Sequence, residues 1–569
     1  MRRWRGLGPC ALVVGAIVIV YGQVVSFDFA PIDDSHLVTS NPLYQPVSLE
    51  HLWQPWAEPV LHLYMPVTYT FYALEAAISQ QQSRDGQYTF HPAVFHAGNL
   101  LLHCLNACLV LLIARWLTEH GVAALLAALF FALHPLQAEA VAWISETKGI
   151  LCNFFCLTGL AILIYRQRFL QARPPAAWVA YAAMNVAFLF GLLAKPAAIA
   201  VIPIAWLIAV GFLQRSAVRS ALELAPSATV AVLISVVAKR AQGDELLWFI
   251  PPANMRPLIA GDTIAFYLVK LVCPLGLTVD YARTPEAVLQ TRWIWLAWIV
   301  PVFLAGALAL LPHRRLWLTA LAIFIVGVAP VSGLVSFVFQ AFSTVSDRYV
   351  YLSMLGPSLA IAWFFTLYAQ PRWIAACGVL LAGLALLSAQ QTSTWKSATS
   401  LFAQAAATQH AGYLTESSQG NWFADAGNTE EAVEHLSRAA EIQPKSFSVR
   451  HKLGAVFLNA GHPSEAIPYF QEVVRLKPDY AEGHNDLGVA LGKANRPQEA
   501  TAAFQEAIRL KPNDIDFHTH LMIACAQAKR REEAIRAAEG AIELARAQKQ
   551  PQMAAKVEAW LRNYRASPP

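Results

Sequence analysis

From residue 8 to residue 389 the chain is a succession of long apolar runs separated by short polar breaks. A bilayer-crossing helix needs about 20 mostly apolar residues. Runs of suitable length cover 8–25, 94–117, 121–136, 149–165, 177–194, 196–213, 221–238, 293–312, 317–339, 350–368 and 373–389, which predicts about eleven spans. The first run could belong to a signal peptide. Ile17 to Gln23 lacks a small-x-small cleavage pattern, so it reads as an uncleaved anchor. Two longer stretches interrupt the series, 26–93 and 239–292. In the first, Leu63 to Tyr72 is aromatic and amphipathic enough to lie in the membrane interface. In the second, Ala265 to Val272 is apolar but short, as expected of an interfacial or re-entrant helix.

Past residue 395 the pattern changes. Apolar positions recur at helical spacing, and whole columns recur every 34 residues: Pro444, Pro478 and Pro512; Leu453, Leu487 and Leu521; Gly454 and Gly488; Ala466, Ala500 and Ala534; Phe470 and Phe504. A weaker unit at 410–443 carries Ala432 in the alanine column. This is the tetratricopeptide pattern, with units at about 410–443, 444–477, 478–511 and 512–545 followed by a capping helix. The chain therefore reads as all-α: a polytopic membrane bundle over 1–395 and an α-solenoid over 396–569. Such solenoids usually bind proteins or peptides in a concave groove.

Charge follows the same division. Of the first 400 residues 40 are charged, against 39 of the last 169. No basic block is interleaved with aromatics, so nucleic acid is not an expected partner. Arg2, Arg3 and Arg5 precede the first run, Arg166, Arg168 and Arg173 follow the fourth, and Arg215 and Arg219 follow the sixth. Arg314 and Arg315 follow the eighth and Arg372 the tenth. Short loops rich in Lys and Arg face the cytoplasm. That places the N-terminus inside and the repeats, after an odd number of spans, outside, which in a bacterial inner membrane means the periplasm. The eight cysteines sit mostly in apolar runs. Cys104/Cys108 and Cys152/Cys156 share helix faces as small packing residues.

Ionisable groups near a membrane are costly, so they are candidates for function. Asp33 and Asp34 stand together just beyond the first run. One can act as general base on an acceptor hydroxyl, and the other can orient the acceptor or hold a divalent cation; a solvated turn after Pro31 is the alternative. In the segment His134 to Lys148, Glu139, Trp143 and Glu146 share one face if the segment is a short helix. There Glu146 and Lys148 can bond a sugar or a phosphate. Lys195 and Arg348 each put a cation at the same membrane surface, where a lipid-linked phosphate would lie. His91, His96 and His103 flank the second run, and His103 reads as a hydrogen-bonded core residue.

Taken in order, several pieces resemble the transmembrane and tetratricopeptide-repeat O-mannosyltransferases and their bacterial relatives, within the C-type membrane glycosyltransferases. They are the Asp33-Asp34 loop, Tyr64 to Val67, Phe95 to His103, His134 to Lys148, Tyr267 to Leu271, Asp347-Arg348-Tyr349 and the terminal repeats. The resemblance implies transfer of a mannose-like sugar from a polyprenyl-phosphate donor to a protein hydroxyl on the non-cytoplasmic face. Asp33 or Asp34 would be the catalytic carboxylate, with Glu139, Glu146, Lys148, Lys195 and Arg348 at the donor. The family often has Arg where Met65 follows Tyr64, and Glu where Pro196 follows Lys195. A membrane-anchored repeat scaffold without enzymatic activity is the alternative expectation, and metal use is open.

Overall fold

The computed structural model describes residues 8–82, 88–170, 173–242, 249–408 and 412–567. The basic residues Arg2, Arg3 and Arg5 lie outside the described residues. The chain forms two compact units, 1–411 and 412–569.

The first unit is a helical bundle. Among the described residues eight helices are long and apolar enough to cross a membrane: Gly8–Ser26, Pro92–Thr118, Ile144–Phe169, Pro174–Ala194, Ala217–Gln242, Arg292–Ala309, Arg314–Val331 and Pro371–Ser393. The chain is a multi-pass membrane protein. Three of the eleven expected spans differ in form. Gly121–Leu133 and Pro135–Ala142 make a pair bent by 54°, because Pro135 cannot continue the hydrogen-bond ladder of the preceding helix. Pro196–Phe212 and Leu355–Leu367 are shorter apolar helices. The latter has 13 residues, about 20 Å of helix, since Asp347 to Met354 winds as 3-10 and irregular turns beforehand. Arg256–Val272 is a helix of 17 residues. It buries Ile259, Ile264 and Tyr267 while Val269 and Val272 stay exposed, the one-sided burial expected of an interfacial segment.

The stretch 26–93 is an ordered layer. It contains the helices Leu49–Ala57 and Pro66–Ser79 and an antiparallel hairpin pairing Gln80–Gln82 with Tyr88–Phe90 in the register Gln81 to Thr89. Tyr44, Met65, Tyr69, Tyr72 and Phe90 form its core with Phe95 and Ile144 of the bundle. Leu74 and Ile78 face outward from Pro66–Ser79. That helix therefore buries aromatics on one side and offers aliphatics on the other.

The second unit stacks helix pairs: Tyr413–Asp425 with Thr429–Ile442, Phe447–Asn459 with Pro463–Leu476, Ala481–Lys493 with Pro497–Leu510, and Ile515–Gln527 with Arg531–Ala547. Pro551–Ala566 follows. The repeating columns have a steric cause. A Cβ on Gly454 would sit 2.8 Å from Phe470, and one on Gly488 would sit 2.6 Å from Phe504. Each glycine thus lets the phenylalanine of its partner helix pack against the backbone. Ala432, Ala466, Ala500 and Ala534 are fully buried, where a larger side chain would force the helices apart.

Candidate functional site

The charges predicted to gather at one surface do gather, around Arg348 and Glu146. Arg348 lies in the 3-10 turn Asp347–Val350. Its guanidinium pairs with Glu139 and, through Nε, with Glu146 Oε1 at 3.3 Å. Glu146 Oε2 accepts from Lys195 Nζ at 2.9 Å, and Lys148 Nζ lies 3.7 Å from its other oxygen. Ser346 Oγ donates to Glu139 Oε1 at 2.8 Å, and the Arg348 backbone N–H donates to Oε2 at 3.3 Å. Three cations therefore face two carboxylates, leaving one positive charge in excess. Arg348, Glu139 and Glu146 are buried, whereas the Lys148 and Lys195 side chains keep 15% and 19% of their surface exposed. The excess charge thus sits on the two lysines that solvent or substrate can reach.

Arg348 is also boxed by rings. Its guanidinium carbon is 4.1 Å from the Phe339 ring centre, 4.8 Å from Trp143 and 5.0 Å from Tyr349. The expected single helix through Glu139, Trp143 and Glu146 is not what forms. Ala138–Ala142 ends at Trp143, whose backbone is extended, and a 3-10 turn over Ile144–Glu146 opens the next span. The three side chains still meet, because each touches Arg348 from a different turn.

The neighbouring Asp347 accepts from Tyr281 Oη at 2.7 Å. Burial, together with the charge of Glu139, pushes the Asp347 carboxyl well above the ordinary carboxylate range. A cavity of about 40 Å³ lies beside the cluster, lined by Lys195, Arg348, Tyr349 and Asn153 among others.

Asp33 and Asp34 part company. Asp34 is fully buried. Its Oδ2 accepts from the Ala30 N–H at 2.7 Å, and its Oδ1 accepts from the Ser145 N–H at 2.9 Å and from the Ser145 hydroxyl. Burial is the main cause that moves its pKa up to about 6, with the charge of Asp33 adding to the rise. The bonds from Ser145 and Ala30 oppose it. Both Asp34 oxygens are occupied, and they clamp the loop to the residue before Glu146. Asp33 is half-buried, and no side-chain hydrogen bond or ion pair ties it among the described residues. Lys148 lies within its electrostatic field. Asp34 therefore fixes the loop, and Asp33 is near enough to Lys148 for their charges to interact.

Of the histidines, His103 bonds Tyr351 Oη at 2.7 Å and the Ala132 carbonyl at 3.1 Å, a satisfied core residue. His96 Nε2 lies 3.3 Å from the Asp28 carbonyl. Among the described residues no three His, Cys, Asp or Glu side chains converge as metal ligands would.

Three supporting residues escaped the sequence reading. Ser145 anchors Asp34. Gly149 makes room for the cluster: a Cβ there would stand 2.5 Å from Glu146 Oε2 and 3.4 Å from Lys195 Nζ. It follows Glu146 by three positions, so helical spacing alone could have flagged it. Glu75 is buried on Pro66–Ser79 with neither carboxylate oxygen hydrogen-bonded in the structure, and burial pushes its pKa up to about 9. A lone acid in the apolar run Tyr72 to Ile78 was its signal.

The tetratricopeptide repeat family matches residues 451–515. Protein O-mannosyl-transferase Tmtc2 of Drosophila melanogaster is 37% identical over 111 residues, which is 19% of this chain and 12% of that protein. Human protein O-mannosyl-transferase TMTC1 is 29% identical over 174 residues, 28% of this chain and 19% of that protein. The chain is similar to protein O-mannosyl-transferases. This agrees with the resemblance carried by its motifs. The matched stretches span less than a quarter of the length of these relatives. Among solved structures, MamA from Desulfovibrio magneticus RS-1 matches at 25% identity and a TM-score of 0.25, covering 26% of this chain and 85% of that one.

Proposed function

We propose that the chain is a membrane glycosyltransferase that moves a mannose-like sugar from a polyprenyl-phosphate donor to a protein hydroxyl. What carries this reading is the placement of an unpaired carboxylate, Asp33, beside a buried charge cluster whose surplus cation is reachable. Glycosyl transfer from a phosphate needs those two things together. Asp33 takes the proton of the acceptor hydroxyl as its oxygen bonds to the anomeric carbon. The bond from that carbon to the phosphate oxygen breaks, and its electron pair passes to the phosphate. Lys148 and Lys195 face the developing charge, held in place by Glu146, while Arg348 locks Glu146 and Glu139. Asp34 is a positioning residue in this scheme.

The donor's isoprenoid tail stays in the bilayer with its phosphate at the surface, which suits a cluster built where several spans end. The site lies on the non-cytoplasmic face, that is, the periplasmic face of a bacterial inner membrane, with the N-terminus cytoplasmic. The repeats, on that same side, recruit the protein acceptor and raise its local concentration.

The test compares glycans on envelope proteins from cells that carry the chain, lack it, or carry Asp33→Asn. Loss of the same protein-linked hexose in the deletion and in Asp33→Asn supports the reading. Unchanged glycans in the deletion would remove it. A reporter fused after residue 569, active only outside the cytoplasm, checks the sidedness.

A further inference from the structure

The opposite end of the bundle holds a second charged concavity that the transfer reaction does not use. Ile144–Phe169 begins at the Glu146 cluster and carries Arg168 at its far end. Glu146 and Arg168 are 22 positions apart, about 33 Å of helix, close to the hydrocarbon thickness of a bilayer. Around Arg168 lies a cavity of about 360 Å³, lined also by Leu117, Gln167, Phe212, Leu213, Gln214 and Arg215. Three separate helical segments end there.

The cavity is electropositive. Arg168 has one partner, Glu119, at 2.5 Å, and that carboxylate is mostly exposed. Arg215 makes no ion pair among the described residues. Its neighbour Arg166 is already paired with Glu223. On the same two helix ends, Trp116, Tyr165 and Phe169 form a ring cluster with centroids 5.4 to 6.0 Å apart, and Tyr165 and Phe169 are exposed. Aromatic belts of this kind mark headgroup depth. Arginines placed only to set topology need no hollow between helix ends. Here two of them line one, together with Leu117, Phe212 and Leu213.

We infer that this cavity is a binding site for the phosphate headgroup of an anionic phospholipid, with Arg168 and Arg215 on the phosphate and Leu117, Phe212 and Leu213 against the first carbons of the chains. Guanidinium groups suit phosphate oxygens in paired geometry. Basic pockets between spans are a recurrent mode of anionic lipid recognition. The lipid would brace the leaflet opposite the charge cluster.

The full chain in neutral detergent is titrated with phosphatidylglycerol, phosphatidylcholine or inorganic phosphate, and binding is read by native mass spectrometry and by thermal unfolding. Phosphatidylglycerol should bind and raise the unfolding midpoint, and the other two should not. The double variant Arg168→Gln, Arg215→Gln should bind it about thirtyfold more weakly. Arg173→Gln, which removes a basic residue of the same face outside the cavity, should leave binding unchanged. Leu213→Trp fills the hollow while keeping both arginines and should also weaken binding, so it decides the matter if the double variant fails to fold. Equal binding of phosphatidylcholine, equal stabilisation by inorganic phosphate, or full binding by Leu213→Trp would each overturn the assignment.

Discussion

The two units use charge in opposite ways. In the repeats, a series of ion pairs is exposed and local: Arg475 with Glu472, Arg496 with Glu499, Arg509 with Glu506 and Arg530 with Glu533 all pair at i,i+3. In the Glu146 cluster of the bundle, the pairs are buried and join distant segments, as Arg348 joins Glu139 and Glu146. Surface pairs contribute little, because water screens them and two long side chains lose freedom. A buried charge must be fully partnered, because stranding it is expensive. The difference teaches that the buried charges of the Glu146 cluster cannot be exchanged one at a time, while the exposed i,i+3 pairs of the repeats can.

The sharpest way to break that contrast is Arg348→Gln. It leaves Glu139 and Glu146 facing each other without the guanidinium, and should destabilise the bundle by about 3–5 kcal/mol and abolish transfer. Thermal unfolding of the purified chain measures the first effect. An unfolding midpoint within error of wild type would mean that the cluster is hydrated and not a buried lock.

Gly149→Ala should come next. Its methyl group pushes Glu146 off Lys195, so transfer falls and stability drops by about 1–3 kcal/mol, the usual range for overpacking. Gly306→Ala is the control, since a Cβ there meets nothing within 4 Å.

Glu75 gives a pH test outside the spans. Its pKa in the folded chain is about 9, raised from an ordinary 4.5. Between those values the folded state holds a proton that the unfolded state has released, so stability falls as pH rises. The stabilisation is complete below about 4.5 and gone above about 9. Glu75→Gln should flatten this slope, so the midpoint difference between variant and wild type should grow in the variant's favour from pH 5 to pH 8. Parallel pH curves would show that Glu75 is ionised and solvated.

The smallest effect belongs to the repeats. Arg509→Gln should leave their unfolding midpoint where it was, because the Arg509–Glu506 pair is exposed. A clear drop would make the surface ladder structural and erase the contrast with the bundle.

Much of this was legible in the sequence. The 34-residue columns gave the helix pairs, since Gly454 and Phe470 record a contact inside one repeat. The positions 139, 146, 148, 195 and 348 were each legible as charges at one membrane surface, and the structure joins them into one network. Which of Asp33 and Asp34 stays free was not legible. That depends on Ser145, 111 positions away, and adjacent carboxylates look alike until a distant partner chooses one. The short helix at Leu355–Leu367 was masked too. Hydropathy counts apolar residues and does not see that Asp347 to Met354 turns inward to deliver Arg348. Likewise, the bend near Pro135 replaces one shared helix face with separate turns around a common guanidinium.

The division of labour between the two adjacent carboxylates is open to one direct measurement: the transfer rate of the purified full chain for Asp33→Asn and Asp34→Asn, each read beside its unfolding midpoint. Asp33→Asn should lower the rate by about a hundredfold or more with an unchanged midpoint. Asp34→Asn should lower the midpoint, because its amide sets a donor against the Ala30 N–H, a loss of about 1–3 kcal/mol. Full transfer by Asp33→Asn, or a midpoint lost with Asp33 and kept with Asp34, would contradict the assignment.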